Sequence, residues 1–175
     1  MCRPAERFVS EISPRGNEKK NHRMAETLGA LCDKLTIVKL KQWHATDPSV
    51  QESLGGQERQ LRDEIQEYLM AALSGEIPVE RLTFAANKVY TKEGNPVAEI
   101  SGTVGEVFSR LAEVNIKLWH EQERVYEFER VPPGEKDAVV KQLAILNLER
   151  NRCIDQINST FKSMVEKRSA FPRSS

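Results

Sequence analysis

Residues 35–44 read "LTIVKLKQWH" and residues 111–120 read "LAEVNIKLWH". Both stretches carry apolar residues at helical spacing and both end on Trp-His, so the chain contains one helical unit twice. Extended towards the N-terminus, "ETLGALCDKLTIVKLKQWH" (26–44) and "GTVGEVFSRLAEVNIKLWH" (102–120) agree at seven of nineteen positions with an offset of 76. A second pair of stretches, "LGGQERQLRDEI" from Leu54 and "LNLERNRCIDQI" from Leu146, aligns more weakly and keeps Leu, Asp and Ile. One helical hairpin cannot bury its own apolar face. Two related hairpins therefore predict an all-α, four-helix bundle-like arrangement with a pseudo-twofold internal repeat.

Punctuation sets the boundaries. Residues 1–23 are polar, broken by Pro4, Pro14 and Gly16, and read as a disordered arm. A single helical domain is expected over 24–168, with repeat one at 26–73, a connector at 74–101 and repeat two at 102–167. Residues 169–175 are expected to form a flexible tail. Thr27 is the expected N-cap of the first helix, with Leu28, Leu31, Cys32, Leu35, Val38 and Trp43 on its stripe. Pro48 reads as the stop of that helix, and a second helix is expected from about residue 51, weakened by Gly55 and Gly56. In the connector, a short helix over 79–88 and a turn at Gly94, Asn95 and Pro96 are expected. Thr103 caps the third helix, "VPPGE" at 131–135 ends it, and the fourth runs over about 135–167, its stripe interrupted at Arg150.

The third and fourth helices are expected to outrun the first two. Val125, Tyr126, Phe128, Phe161 and Met164 would then lack partners within the chain, which predicts a homo-oligomer.

Composition narrows the function classes. Lys plus Arg and Asp plus Glu stand at 26 each, so no bulk field draws the chain to nucleic acid or an acidic membrane. No apolar run approaches the roughly 18 residues needed to span a bilayer, the first 20 residues show no apolar segment of the signal-peptide kind, and the chain is expected to be cytoplasmic. The three cysteines, Cys2, Cys32 and Cys153, have no CxxC spacing, and the last two fall on apolar stripes as core thiols.

The pattern Leu28, Gly29, Asp33, Lys34, Leu35, Ile37, Val38, Leu40, Lys41, Trp43, His44 resembles the signature helix of the bacterial and phage family known as domain of unknown function 4254. Gly105, Glu106, Leu111, Val114, Asn115, Ile116, Lys117, Trp119 and His120 resemble the same signature. Leu146, Asn147, Arg150, Asn151, Ile154 and Asp155 resemble that family's second-helix block. The resemblance covers about 24–165 and implies a helical fold; the family has no assigned activity, though some bacterial members lie near glycosyltransferase genes. The first half departs from the pattern, with Lys39 in place of the Asn and Gln57-Glu58-Arg59 where the Arg-Asn pair would stand.

Catalytic machinery is not legible. A carboxylate-histidine metal site needs Glu three residues before the His, but Lys41 and Lys117 occupy those positions and an ammonium repels a dication. No nucleophile elbow, phosphate loop or clustered acids appear. No catalytic residue, metal or cofactor is assigned.

Lys-x-Trp-His, present twice, is the remaining constellation. As a ligand site, Lys41, Trp43 and His44 with Lys117, Trp119 and His120 would offer charge, stacking faces and donors to a nucleotide, a cyclic dinucleotide or a nucleotide sugar. Asn115, Arg150 and Asn151 join this candidate set, because polar groups beside a buried seam need partners. As a structural element, each Trp would plug the open end of the bundle while Lys and His reach solvent. The expected function is thus a non-catalytic binding or interaction protein, oligomeric, or alternatively a small-ligand binder or sequestering protein of phage origin or linked to a glycan pathway. An enzyme of unrecognised type is the third reading.

Overall fold

A computed structural model describes residues 25–84, 97 and 99–170. These form an all-α fold of four helices: α1 (Leu28–His44), α2 (Pro48–Ser74), α3 (Val104–Tyr126) and α4 (Lys136–Ala170). Three short 3-10 turns, Val79–Arg81, Phe128–Arg130 and Pro133–Glu135, link them. The expected arm, the Gly94-Asn95-Pro96 turn and residues 85–88 of the expected connector helix lie outside the described residues.

The two repeat helices begin alike. Thr27 is the N-cap of α1 and accepts from the Ala30 amide at 3.4 Å, satisfying one of the first-turn donors. Thr103, 76 residues on, caps α3 in a reciprocal box in which Glu106 accepts from the Thr103 amide at 2.8 Å. Helix α2 starts earlier than the sequence suggests. Asp47 caps it and Pro48 takes the first helical position, where its missing N–H costs nothing and its fixed φ suits the helix. The same proline that ends one helix opens the next. Gly75, at φ 81°, closes α2 in the left-handed region, where glycine carries no steric penalty. Helix α4 extends through Ala170, two residues into the expected tail, and its 35 residues span about 52 Å at 1.5 Å per residue.

Helix α1 is central, packing against each of the other three, while α2 makes no extended contact along α3. Contacts fix the directions. Asn115 reaches Asp33 and Thr36 while Trp119 meets His44, so α1 and α3 run parallel. Gly29 meets Asn158 while Asp33 meets Arg150, so α4 runs antiparallel to α1.

The core sits where α1 and α3 begin and α2 and α4 end. Leu31, Leu82, Leu111 and Cys153 are fully buried there, with Val107, Tyr68 and Ile157 nearly so. Gly29 permits the closest approach of α1 and α4, since a Cβ at that position would lie 2.5 Å from the Ile154 carbonyl oxygen. Gly105, its counterpart in α3, faces open space. At the far end α3 and α4 continue past His44 as a hairpin of their own, with Val131 and Val139 buried in it.

Two expectations are corrected by this packing. Phe161 is buried against Tyr68 at the core end, with ring centroids 6.2 Å apart, because α4 runs back antiparallel to α1 and brings its last turns to the end where α2 closes. Trp43 does not plug the bundle: it is 86% exposed. Tyr126 and Met164 are exposed as expected, whereas Phe128 is half-buried beneath the Lys136 ammonium, 4.8 Å from the ring centroid.

Candidate binding groove between the first and third helices

Parallel packing of α1 and α3 brings both Trp-His endings to one place. The His44 imidazole stacks on the Trp119 indole, with centroids 4.7 Å apart and planes 14° from parallel. Trp119 Nε1 donates to Glu123 Oε1 at 2.8 Å, and His120 Nδ1 lies 3.1 Å from Glu123 Oε2. Glu123, one helical turn beyond both residues, therefore fixes the plane of the indole on which His44 rests. The hydrogen bond from His120, and next that from Trp119, hold the Glu123 carboxyl below its ordinary pKa.

These residues edge an open groove of about 640 Å³ between α1 and α3. Leu35, Leu40, Phe108 and Ile116 give it an apolar lining, and Trp43, His44, Trp119 and His120 surround its end. The lysine bordering it is Lys39, whose ammonium pairs with Glu58 at 3.2 Å. Lys41 lies on the other side of α1, where it borders two clefts against α2. Lys117 is exposed on α3, away from the groove's lining. The groove thus gathers the aromatic members of the repeated motif and leaves its two lysines outside.

Asn115 and Arg150 belong to a different, interior arrangement. Asp33 is 3% exposed, and Arg150 clasps it with two donors, Nε to Oδ1 at 2.8 Å and Nη2 to Oδ2. Asn115 Nδ2 donates to Asp33 Oδ1 at 2.9 Å and to Thr36 Oγ1 at 2.7 Å. This network gives Arg150 and the Asn115 amide nitrogen partners within the chain, while Asn115 Oδ1 is buried without a hydrogen-bond partner among the described residues. Hydrogen bonding to Asp33 raises the already high Arg150 pKa, so its charge is permanent. Asn151 is half-buried on α4. Asn147 donates to the Leu143 carbonyl oxygen of its own helix at 2.9 Å.

Asp33, Thr36 and Glu123 are not among the candidate site residues that the sequence offers, although Asp33 stands in the signature pattern. Glu123 was within reach of the sequence, since it stands four residues after Trp119, whereas Asp33 and Thr36 lie on α1 with no local pattern that marks them as partners of Asn115 and Arg150. Among the described residues no group of His, Cys, Asp and Glu is placed to hold a metal ion, and no helix is long and apolar enough to cross a membrane. Comparison with family models, curated proteins and solved structures gives no match.

Proposed function

We propose that this protein is a non-catalytic binding protein that works as an assembly of identical chains, with the α1/α3 groove as its contact face. The observation that carries this reading is the unpartnered aromatic surface. Trp43 is 86% exposed and Ile116 44% exposed on the same face, beside the half-buried Leu35, Leu40 and Phe108. Contiguous apolar surface of this kind on a chain with balanced charge favours association over solvation. The two hairpins are read as copies of one unit, a reading supported by the matching Thr27 and Thr103 caps. Native mass spectrometry of the full chain tests the proposal: the expected species is a multiple of the 19.9 kDa chain without retained ligand. A monomer at micromolar concentration refutes it.

A second reading is favoured by the His44–Trp119 stack, which offers a flat platform for a planar ring. In that reading the groove takes a nucleotide, cyclic dinucleotide or nucleotide sugar. The phosphates would have to meet Lys39, since Lys41 and Lys117 lie outside the lining. A thermal-shift screen with these ligands decides it. Ligand-dependent stabilisation of roughly 2.7 kcal/mol at a hundredfold excess over Kd supports the platform, and no shift removes it.

A further inference from the structure

We propose that the cleft where the end of α1 meets the first turns of α2 binds a small organic phosphate that carries a planar ring. This cleft, of about 690 Å³, lies on the α2 side of α1 and shares with the α1/α3 groove only His44 and Trp119. It is a separate site, independent of what the groove does. Its size falls within the roughly 300–1,000 Å³ of small-ligand sites.

The lining selects the ligand. Lys41, His44, Ser53, Gln57 and Trp119 border the cleft, and among the described residues no carboxylate does. Of the lysines on α1, Lys34 pairs with Glu26 at 2.9 Å and Lys39 with Glu58 at 3.2 Å, whereas Lys41 has no carboxylate partner among the described residues. Ser53 and Gln57 stand one turn apart on α2, and neither side chain has a hydrogen-bond partner among the described residues. An ammonium, a hydroxyl and an amide from two helices thus hold unspent donors around one space. A phosphate presents three oxygens to such a set, where a carboxylate presents two. The acids beside the cleft are already engaged: Asp47 accepts from the Ser49 amide and hydroxyl, both at 2.7 Å, and Glu123 accepts from Trp119 Nε1. Because its indole N–H is spent on Glu123, Trp119 offers a flat face rather than a donor, and with His44, Val50 and Leu54 it gives a ring an apolar wall. Past Lys41 and Gln57 the cleft continues into one of about 420 Å³ that reaches Arg150, but there Asp33 and Glu64 enter the lining. The phosphate therefore belongs at the Lys41 end.

Tryptophan fluorescence tests this, because the chain has two tryptophans and only Trp119 borders the cleft. The full chain carrying Trp43→Phe is titrated with adenosine monophosphate, adenosine and inorganic phosphate. The monophosphate should change the Trp119 emission saturably and bind roughly tenfold or more tightly than either fragment. Adding Lys41→Gln should weaken it by roughly tenfold or more, the loss expected for a charge-assisted hydrogen bond, with unchanged far-ultraviolet circular dichroism, while Lys117→Gln should leave it unaltered. No saturable change with the monophosphate overturns the site, and adenosine binding equally well overturns the role of the phosphate. A loss on Lys39→Gln in place of Lys41→Gln also overturns it and moves the ligand to the α1/α3 groove. None of these outcomes bears on self-association, which the mass of the native species decides.

Discussion

Gly29 and Gly105 occupy the same position in the two repeats, two residues after a capping Thr, yet an alanine at each should act in opposite directions. At Gly29 the new Cβ would lie 2.5 Å from the Ile154 carbonyl oxygen and 3.0 Å from Asn158 Oδ1. The first is backbone in the middle of α4 and cannot swing aside, so α1 and α4 must separate. Overpacking of this kind costs about 1–3 kcal/mol. Separation also stretches the hydrogen bond that the Gly29 amide donates to Asn158 Oδ1 at 2.7 Å, and leaving that pair unsatisfied costs about 1–3 kcal/mol more. The better helix propensity of alanine returns at most about 1 kcal/mol. The net is a loss of roughly 3 kcal/mol, or a fall in Tm of roughly 6–12 °C for a chain of this size. At Gly105 nothing lies within 4 Å of the new Cβ. Only the propensity gain remains, so Gly105→Ala should stabilise by up to about 1 kcal/mol. Urea denaturation followed by circular dichroism measures both. A neutral Gly29→Ala, or equal losses at the two sites, would refute the close approach of α1 and α4.

Three further outcomes are expected. Asp33→Ala should cost about 2–4 kcal/mol in urea titrations, somewhat below the range for a fully buried pair because the Arg150 side chain is 33% exposed; the Asp33→Leu, Arg150→Met double variant should recover at least half of that, and failure to do so would mean that packing, not charge pairing, governs the site. Burial first, aided by Asp33 for Cys32 and by Glu149 for Cys153, pushes both thiols up to about 11. At pH 8 roughly one part in a thousand is then thiolate, and iodoacetamide labelling mapped by mass spectrometry should modify both residues at least a hundredfold faster in urea than in the native protein. Asp47, Glu58, Glu106 and Glu123 all have carboxyl pKa values below their ordinary ones, through hydrogen bonds from Ser49, Gln42, Thr103 and His120 respectively. Groups shifted this way add stability above the ordinary carboxyl pKa and lose it as pH falls through the depressed values. Thermal melts should therefore be flat from pH 7 to about 5 and decline below about 4; a rise on acidification would contradict the sign.

Helix number and the two Thr caps were legible because each rests on local chemistry: apolar period and capping hydroxyls. The start of α2 was misread because Asp47-Pro48 is both a stop and a start, and only the Asp47 side chain, accepting from the Ser49 amide at 2.7 Å, decides between them. The groove was legible in part. Trp43, His44, Trp119 and His120 were singled out and the structure brings them together at its end, but the stripe also predicted that the indoles would be buried. That prediction assumed α1 is covered on every side, whereas α2 never runs along α3 and one face stays open. Asn115 and Arg150 were recognised as groups needing partners. Which partner they take depends on helix adjacency, and no periodicity encodes that Asp33 comes to face Arg150 from 117 residues away.

That separation governs the order in which the chain can acquire its structure. Helix α1 is held to α4 at two points, Asp33 with Arg150 and Thr27 and Gly29 with Asn158, whose sequence separations are 117, 131 and 129 residues. At a synthesis rate of about 5–20 residues per second, α1 waits roughly 6–26 s for its clasp to emerge. Throughout that interval the Asp33 carboxylate and the bare backbone notch at Gly29 stay open beside a hairpin whose apolar side is uncovered. Each hairpin can form from near neighbours in sequence, but their docking is completed late, through contacts that span most of the chain. A chain released before residue 158 would lack part of the grip that holds its first helix in place.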